Sequence, residues 1–137
     1  MAADFSIQGQ GNAAPGCWSV VSAPAANTQP VATKAANPAA RHIATNLVAS
    51  LAAAAGVQPA LYIVIRDGAS GAGAIIWQAL IGPIPSGQTN PELVFDIPNM
   101  VGTANTPMTA EFITTGGAAG APALGNFGAI TLLGWDG

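Results

Sequence analysis

The chain has 137 residues, including 30 alanines, 17 glycines and 11 prolines, and only 7% of its residues are charged. Its three basic residues and formal net charge of −3 exclude the basic surface that a nucleic-acid-binding protein or a membrane-surface helix needs. The length and the 50% hydrophobic content suit one globular domain rather than a disordered chain.

The first 40 residues are rich in Ala, Pro, Asn and Gln and contain two short strand-like segments, residues 5–8 and 17–21. Pro24, Pro30 and Pro38 exclude long helices. We expect residues 1–40 to form an N-terminal arm that becomes ordered against a neighbouring molecule, and residues 41–137 to form the core of the same single domain. If residues 1–30 of the isolated protein resist proteolysis as strongly as the rest, the arm hypothesis is wrong.

The N-terminus lacks the basic and apolar segments of a signal peptide, so we expect the protein to be made and used without secretion. The most apolar stretch, residues 47–65, is rich in Ala and is interrupted by a Gly-Val-Gln-Pro turn. It is therefore a poor candidate for a membrane-spanning helix, which needs about 20 predominantly apolar residues.

Residues 41–55 fit two structures. Ile43, Leu47 and Leu51 recur every four residues, and the Ala run before Gly56 resembles the end of a helix. Together with Thr45 and Ala49, the same residues also occupy every second position, as one face of a strand would. We favour a strand over residues 41–50, because a lone helix among strands would need a packing layer of its own.

Two apolar runs, residues 61–66 and 74–81, flank a glycine-rich segment of seven residues. The first run is β-branched and apolar on both faces, which is typical of a strand covered on both sides. The second contains Trp77, which alternates with Ile75 and Ala79 and is expected in the core. The pair predicts a β-hairpin with a long tip.

Downstream, apolar and polar residues alternate in residues 92–97 and again in residues 108–113, the pattern of half-buried strands. A glycine-rich loop at residues 116–122 precedes a last strand at residues 127–135. The chain therefore predicts an all-β fold, a jelly roll or β-sandwich of about eight antiparallel strands.

Few residues could support catalysis or metal binding. His42 is the single histidine and Cys17 the single cysteine, so we expect His42 to be structural and exclude an internal disulfide and cysteine-based metal sites. Asp96 and Glu111, on successive strands, could form the carboxylate pair of a small hydrolase. Their alternation with core residues favours instead a solvated face or a partner for Arg66 or Arg41.

The glycines at positions 68, 71 and 73 do not have the spacing of a phosphate-binding loop, and no Lys or helix follows them. Asp67 and Gly68 are better explained as turn residues. We therefore expect no catalytic residue, no cofactor and no metal.

Trp18 and Trp135 lie near the two ends of the chain. They could pack in the core, contact another subunit or stack on a sugar. Together with Phe5 and Ile7 of the predicted arm, they are our interface candidates.

The central part of the chain resembles small cement or decoration proteins encoded among the head genes of tailed bacteriophages. The resemblance covers residues 41–115 and 134–137, and it rests on these segments: Arg-His-Ile at 41–43, Ala-Ser-Leu at 49–51, residues 61–73 with Trp77, and residues 99–112. It implies a jelly roll or sandwich on the outside of an icosahedral shell, with no catalytic residues to carry over.

We therefore expect a non-enzymatic virion protein, made in the host bacterial cytoplasm and located on the outer capsid surface. Its expected partners are the major capsid protein and further copies of itself, in a homodimer or trimer, with no nucleic acid or membrane. The alternative is a carbohydrate- or receptor-binding sandwich module of a phage head or tail fibre.

Overall fold

The computed structural model describes residues 16–137, apart from the side chains of residues 89–92. No helix occurs in residues 16–137. The strands are β1 (Cys17–Ala26), β2 (Val31–Lys34), β3 (His42–Ala52), β4 (Leu61–Asp67), β5 (Ala74–Ile81), β6 (Thr89–Val101), β7 (Met108–Thr114) and β8 (Phe127–Asp136).

The strands form two four-stranded sheets. Sheet one has the order β1-β8-β3-β6, and sheet two has the order β2-β7-β4-β5. Every pair of neighbouring strands is antiparallel. The expected all-β sandwich of eight antiparallel strands is therefore confirmed.

The core lies between the inner faces of the two sheets. Because side chains alternate along a strand, each strand turns every second residue inward. Leu47 and Leu132 are opposite each other in sheet one, and Ile63 and Phe112 are opposite each other in sheet two. All four side chains are fully buried. Trp77 packs against this core with its ring edge-on to Phe95, at a centroid distance of 5.3 Å.

The ambiguous segment is the strand β3, and the helical alternative is wrong. β3 pairs with β8 on one side and β6 on the other, so its backbone groups are bonded along both edges. A bulge at Thr45 shifts the alternation, and Ala44, Leu47, Ala49 and Leu51 all point into the core. Tertiary pairing outweighs the helix propensity of the Ala run.

The N-terminal region contributes to both sheets. β1 pairs with β8, and β2 pairs with β7. Ala32 of β2 is buried in the core. Of the predicted arm, residues 1–15 lie outside the described residues, and so do the interface candidates Phe5 and Ile7.

β7 differs from the half-buried strand that its alternation predicts, because both of its faces are buried. The β4–β5 loop covers the outer face: Ser70 and Gly71 bond to the Glu111 side chain. Beyond Val31, the first residue of β2, the backbone N–H of Gly120 donates to the carbonyl of Phe112, so β7 remains paired along this edge. The prediction that Glu111 lies on a solvated face is therefore wrong.

Candidate functional site

The outer face of sheet one is built from three rows of side chains that cross all four strands. The strand registers place residues of β1, β8, β3 and β6 side by side in each row. The rows are Val21-Thr131-Val48-Val94, Ser19-Leu133-Asn46-Asp96 and Cys17-Trp135-Ile43-Val101. We call these twelve residues the sheet-one outer face.

The first and third rows of this face are mostly apolar, and the middle row carries the polar residues Ser19, Asn46 and Asp96. Val21, Val94, Val101 and Trp135 have exposed fractions of 63, 64, 53 and 43%. Its one charged residue is Asp96, whose Oδ1 accepts a hydrogen bond from Asn46 Nδ2 at 3.1 Å. With strands about 4.8 Å apart, the rows span about 14 Å. Several exposed apolar side chains on one sheet face make that face a candidate interaction site.

The two tryptophan candidates lie on opposite faces of sheet one. Trp135 is opposite Cys17 and belongs to the sheet-one outer face. Trp18 is opposite Gly134 on the inner face, where it is half-buried and packs against the core. They therefore do not form a joint platform for one sugar, and only Trp135 is more than one-third exposed.

Trp18 belongs to a polar cluster centred on Asp136. Asp136 Oδ1 accepts a hydrogen bond from Trp18 Nε1 at 2.8 Å, and its Oδ2 accepts one from Asn37 Nδ2 at 2.9 Å. His42 Nδ1 lies 2.6 Å from Asp136 Oδ1. Burial by itself raises the pKa of Asp136, but the hydrogen bonds from Asn37, His42 and Trp18 and the charge of His42 outweigh it, so the pKa is lowered.

His42 has a structural environment. It is 2% exposed, and its Nε2 lies 2.7 Å from the backbone oxygen of Ala35. A catalytic base needs that second nitrogen beside a nucleophile or substrate. The His42–Asp136 pair instead ties the start of β3 and the end of β8 to the segment before β3.

Glu111 forms the second charged cluster, on the outer side of sheet two. It is fully buried, and its carboxylate contacts Arg66 Nε, Ser70 Oγ and the backbone N–H of Gly71. Burial raises the pKa of Glu111, but hydrogen bonds from Ser70, Arg66 and Gly71 and the charge of Arg66 together lower it. Arg66 Nη1 also donates to the carbonyl of Gly73 at 2.8 Å.

The positions of Glu111 and Asp96 decide between the hypotheses that the sequence left open for these two carboxylates. The alternative in which Glu111 is the partner of Arg66 is the correct one. Asp96 lies on β6 of sheet one and Glu111 on β7 of sheet two. The structure therefore does not bring together the carboxylate pair considered for a hydrolase. The glycine-rich loop contacts the side chains of Glu111 and Arg66, and Gly68 has a positive φ of 135°.

A third polar cluster, at the other end of β8, was not predicted from the sequence. Gln58 and Asn126 are buried, and Asn126 Nδ2 donates to Gln58 Oε1 at 3.1 Å. Asn126 also bonds to the backbone of Ala55 and Gly56. Amides in glycine-rich loops carry no periodic pattern, so only the fold identifies this pair as the tie between two loops.

One concavity among residues 16–137 is a small groove. This groove of about 220 Å³ beside Gln58 and Thr114 is lined largely by Ala, Pro and Leu, and this volume is below the usual size of ligand pockets. Within residues 16–137, no group of three His, Cys, Asp or Glu side chains could hold a metal ion. No helix in the same residues is long and apolar enough to cross a membrane.

Comparisons with protein families, with curated proteins and with solved structures found no match to this chain. Its function is therefore inferred from its residues and their geometry.

Proposed function

We propose that this protein is a structural virion protein that cements or decorates a bacteriophage icosahedral capsid, bridging major capsid protein subunits from the outside. The sheet-one outer face is the surface that binds the capsid. The observation that carries the proposal is the exposure of Val21, Val94, Val101 and Trp135 on one sheet face with a single carboxylate among them.

The strand order supports the proposal. In sheet one, no two neighbouring strands are consecutive in the chain, and six of the seven connections cross from one sheet to the other. Among the strands of residues 16–137, only β4 and β5 form a hairpin within one sheet. This interleaving is what we expect of a jelly roll, an architecture found in viral capsid proteins and also in lectins and cupins.

An apolar face suits attachment to a shell. A patch about 14 Å across has an area on the order of 200 Å², which is small beside the roughly 800 Å² that each partner of a stable complex buries. Repetition of the contact over a symmetric shell compensates, because linked sites bind with far higher avidity than one site alone. The shortage of charge makes each contact insensitive to salt.

The proposal is tested by comparing phage particles that carry the protein with particles that lack it. Particles lacking it should release their genome at a lower temperature, measured by dye access to DNA during heating. Density for the protein should cover the outer surface of imaged particles. Equal release temperatures, or absence of that density, would contradict the proposal.

A charge placed on the docking face gives a residue-level test. Val94→Lys should weaken binding to empty shells of the major capsid protein by at least about tenfold. The contact would bury the lysine charge among apolar side chains without an opposite charge to pair with it. Leu124→Lys is the matched control, because Leu124 is 84% exposed but lies in the loop before β8. Equal loss of binding by both variants would show that the sheet-one outer face is not the surface that binds the capsid.

The second candidate function is carbohydrate or receptor binding by a head or tail fibre. The exposed ring of Trp135 between Cys17 and Ile43 favours it, because an exposed indole stacks on apolar sugar faces. Binding on a glycan array that Trp135→Ala abolishes would support this function over capsid attachment.

A further inference from the structure

The sandwich has four edge strands, and three of them carry features that prevent pairing with another chain. β1 contains Pro24, β2 has only four residues and ends at Lys34, and β6 contains two prolines and Asp96. Prolines, charges and short length are the usual protection of exposed sheet edges. β5 has none of them, since its eight residues are Ala-Ile-Ile-Trp-Gln-Ala-Leu-Ile.

β5 also presents an open edge. Within residues 16–137 its backbone pairs with β4 alone. One side of the strand therefore carries a row of N–H and C=O groups without protein partners in this range, a template for a further strand. Ile75 and Leu80 are 42 and 55% exposed beside that edge, although an edge strand is where apolar exposure is least tolerated.

We propose that β5 pairs antiparallel with β5 of a second copy of this chain, about a two-fold axis near Gln78. The two copies of sheet two then form one continuous sheet of eight strands. The proposal concerns sheet two and leaves the sheet-one outer face free, so it does not depend on the proposed function.

The composition of β5 favours a second copy as the occupant. A two-fold axis brings the residues beside it near their own twins, so a charge at the middle of the strand would meet the same charge. β5 has no charge, its one polar residue is central, and both of its ends are apolar. Antiparallel pairing places the Ile75 end of one copy against the Leu80 end of the other, which covers both exposed side chains.

The N-terminal segment of the same chain, residues 1–15, is the other occupant that the test distinguishes. β1, which follows that segment, lies at the edge of sheet one beside β2, whereas β5 lies at the other lateral edge of the sandwich. The segment would have to cross three strand spacings, about 14 Å, and then run along β5.

The test measures the mass of the full-length protein by sedimentation velocity over a range of concentrations. The natural protein should be dimeric, and Gln78→Lys and Gln78→Glu should each raise the dimer dissociation constant at least about tenfold, because like charges then face each other across the axis. An equimolar mixture of the two variants should recover the dimer, since opposite charges then meet. This recovery also shows that both variants fold.

Leu124→Lys is the matched control and should remain dimeric. In hydrogen exchange, the β5 amides that point away from β4 should become protected as the dimer forms. A natural protein that is monomeric at every concentration overturns the proposal, and protected β5 amides in that monomer assign the edge to the chain's own segment. Dimers that persist unchanged in both Gln78 variants place the interface elsewhere and also overturn it.

Discussion

Glu111 and Asp136 connect parts of the chain that are far apart in sequence. Glu111 holds the β4–β5 loop against sheet two through Arg66 and Ser70. Asp136 joins the last strand to Trp18 and His42. In a chain with nine charged residues, these carboxylates are stabilising because each has several hydrogen-bond donors.

We expect Glu111→Gln to lower the free energy of unfolding by about 3 kcal/mol, because removal of one partner of a buried ion pair leaves the Arg66 charge uncompensated. Chemical denaturation measures this change. Asp96→Asn is the control and should change the stability by less than about 0.5 kcal/mol, since Asp96 is exposed. Arg66→Met should cost less in the Glu111→Gln background than alone; equal costs would show that the two residues are not coupled.

Acid should destabilise the protein. The pKa values of Glu111 and Asp136 are lowered from their ordinary values of 4.5 and 3.8. Just below those values the unfolded chain binds protons that the folded protein does not, so stability falls as the pH falls toward the lowered pKa values. Above the ordinary values this contribution is fully present.

Unfolding by urea at a series of pH values between about 2 and 6 measures this dependence. Asp136→Asn should make it shallower, because one of the two lowered carboxyl groups is then absent. An identical pH dependence in the variant, or a stability that rises as the pH falls, would contradict the assignment.

At the scale of the strand, glycine allows β8 to pack closely against β1 and β3. A Cβ atom on Gly134 would contact the backbone oxygen of Ile43 and lie 2.5 Å from the Trp18 ring. The tryptophan therefore occupies the space that a side chain at position 134 would need. The sequence places a glycine within an apolar strand without showing which ring covers it.

We expect Gly134→Ala to lower the free energy of unfolding by about 2–3 kcal/mol, because the backbone oxygen cannot move away without disturbing the β3–β8 pairing. Gly56→Ala is the matched control. A Cβ there meets nothing within 4 Å, so its effect should lie between zero and about 1 kcal/mol of stabilisation. Denaturation curves of the two variants test this, and equal stability would contradict the close packing.

At the scale of the whole molecule, folding depends on pairing between distant segments. Cys17 at the start of β1 pairs with Trp135 near the end of β8, and every neighbouring pair in sheet one is non-consecutive in the chain. Such pairing requires the closure of long loops before contacts form.

We therefore expect the main refolding phase to take milliseconds to seconds, as in other sandwiches with distant contacts. Stopped-flow tryptophan fluorescence after dilution from denaturant measures it. A main phase that finishes within tens of microseconds would show that local contacts control folding.

Local pattern was sufficient for part of this structure. Alternation identified Phe95 and Ile97 of β6 as inward, and the doubly apolar run at residues 61–66 predicted a strand buried on both faces. The β4–β5 hairpin followed from two apolar runs around a glycine-rich segment. These features depend only on the period of a strand and on turn chemistry.

The environment of Glu111 could not be predicted in this way. Its alternation with Ala110 and Phe112 indicates a solvated position, and that inference holds only where nothing covers the outer face. The loop carrying Ser70 is 41 positions away in the chain. The sheet-one outer face could not be predicted for the same reason. Its residues, such as Val21, Val48 and Val94, become neighbours only through strand pairing.

The sequence by itself determined the class of the fold, because strand periodicity, β-branched residues and glycine-rich turns are local properties. It also determined that few charges are available. Only the tertiary structure decided which residues share a sheet, which carboxylates are buried beside donors and which strands lie at the sheet edges within residues 16–137. These depend on contacts between segments distant in the chain, and the order of pairing is not encoded in any single segment.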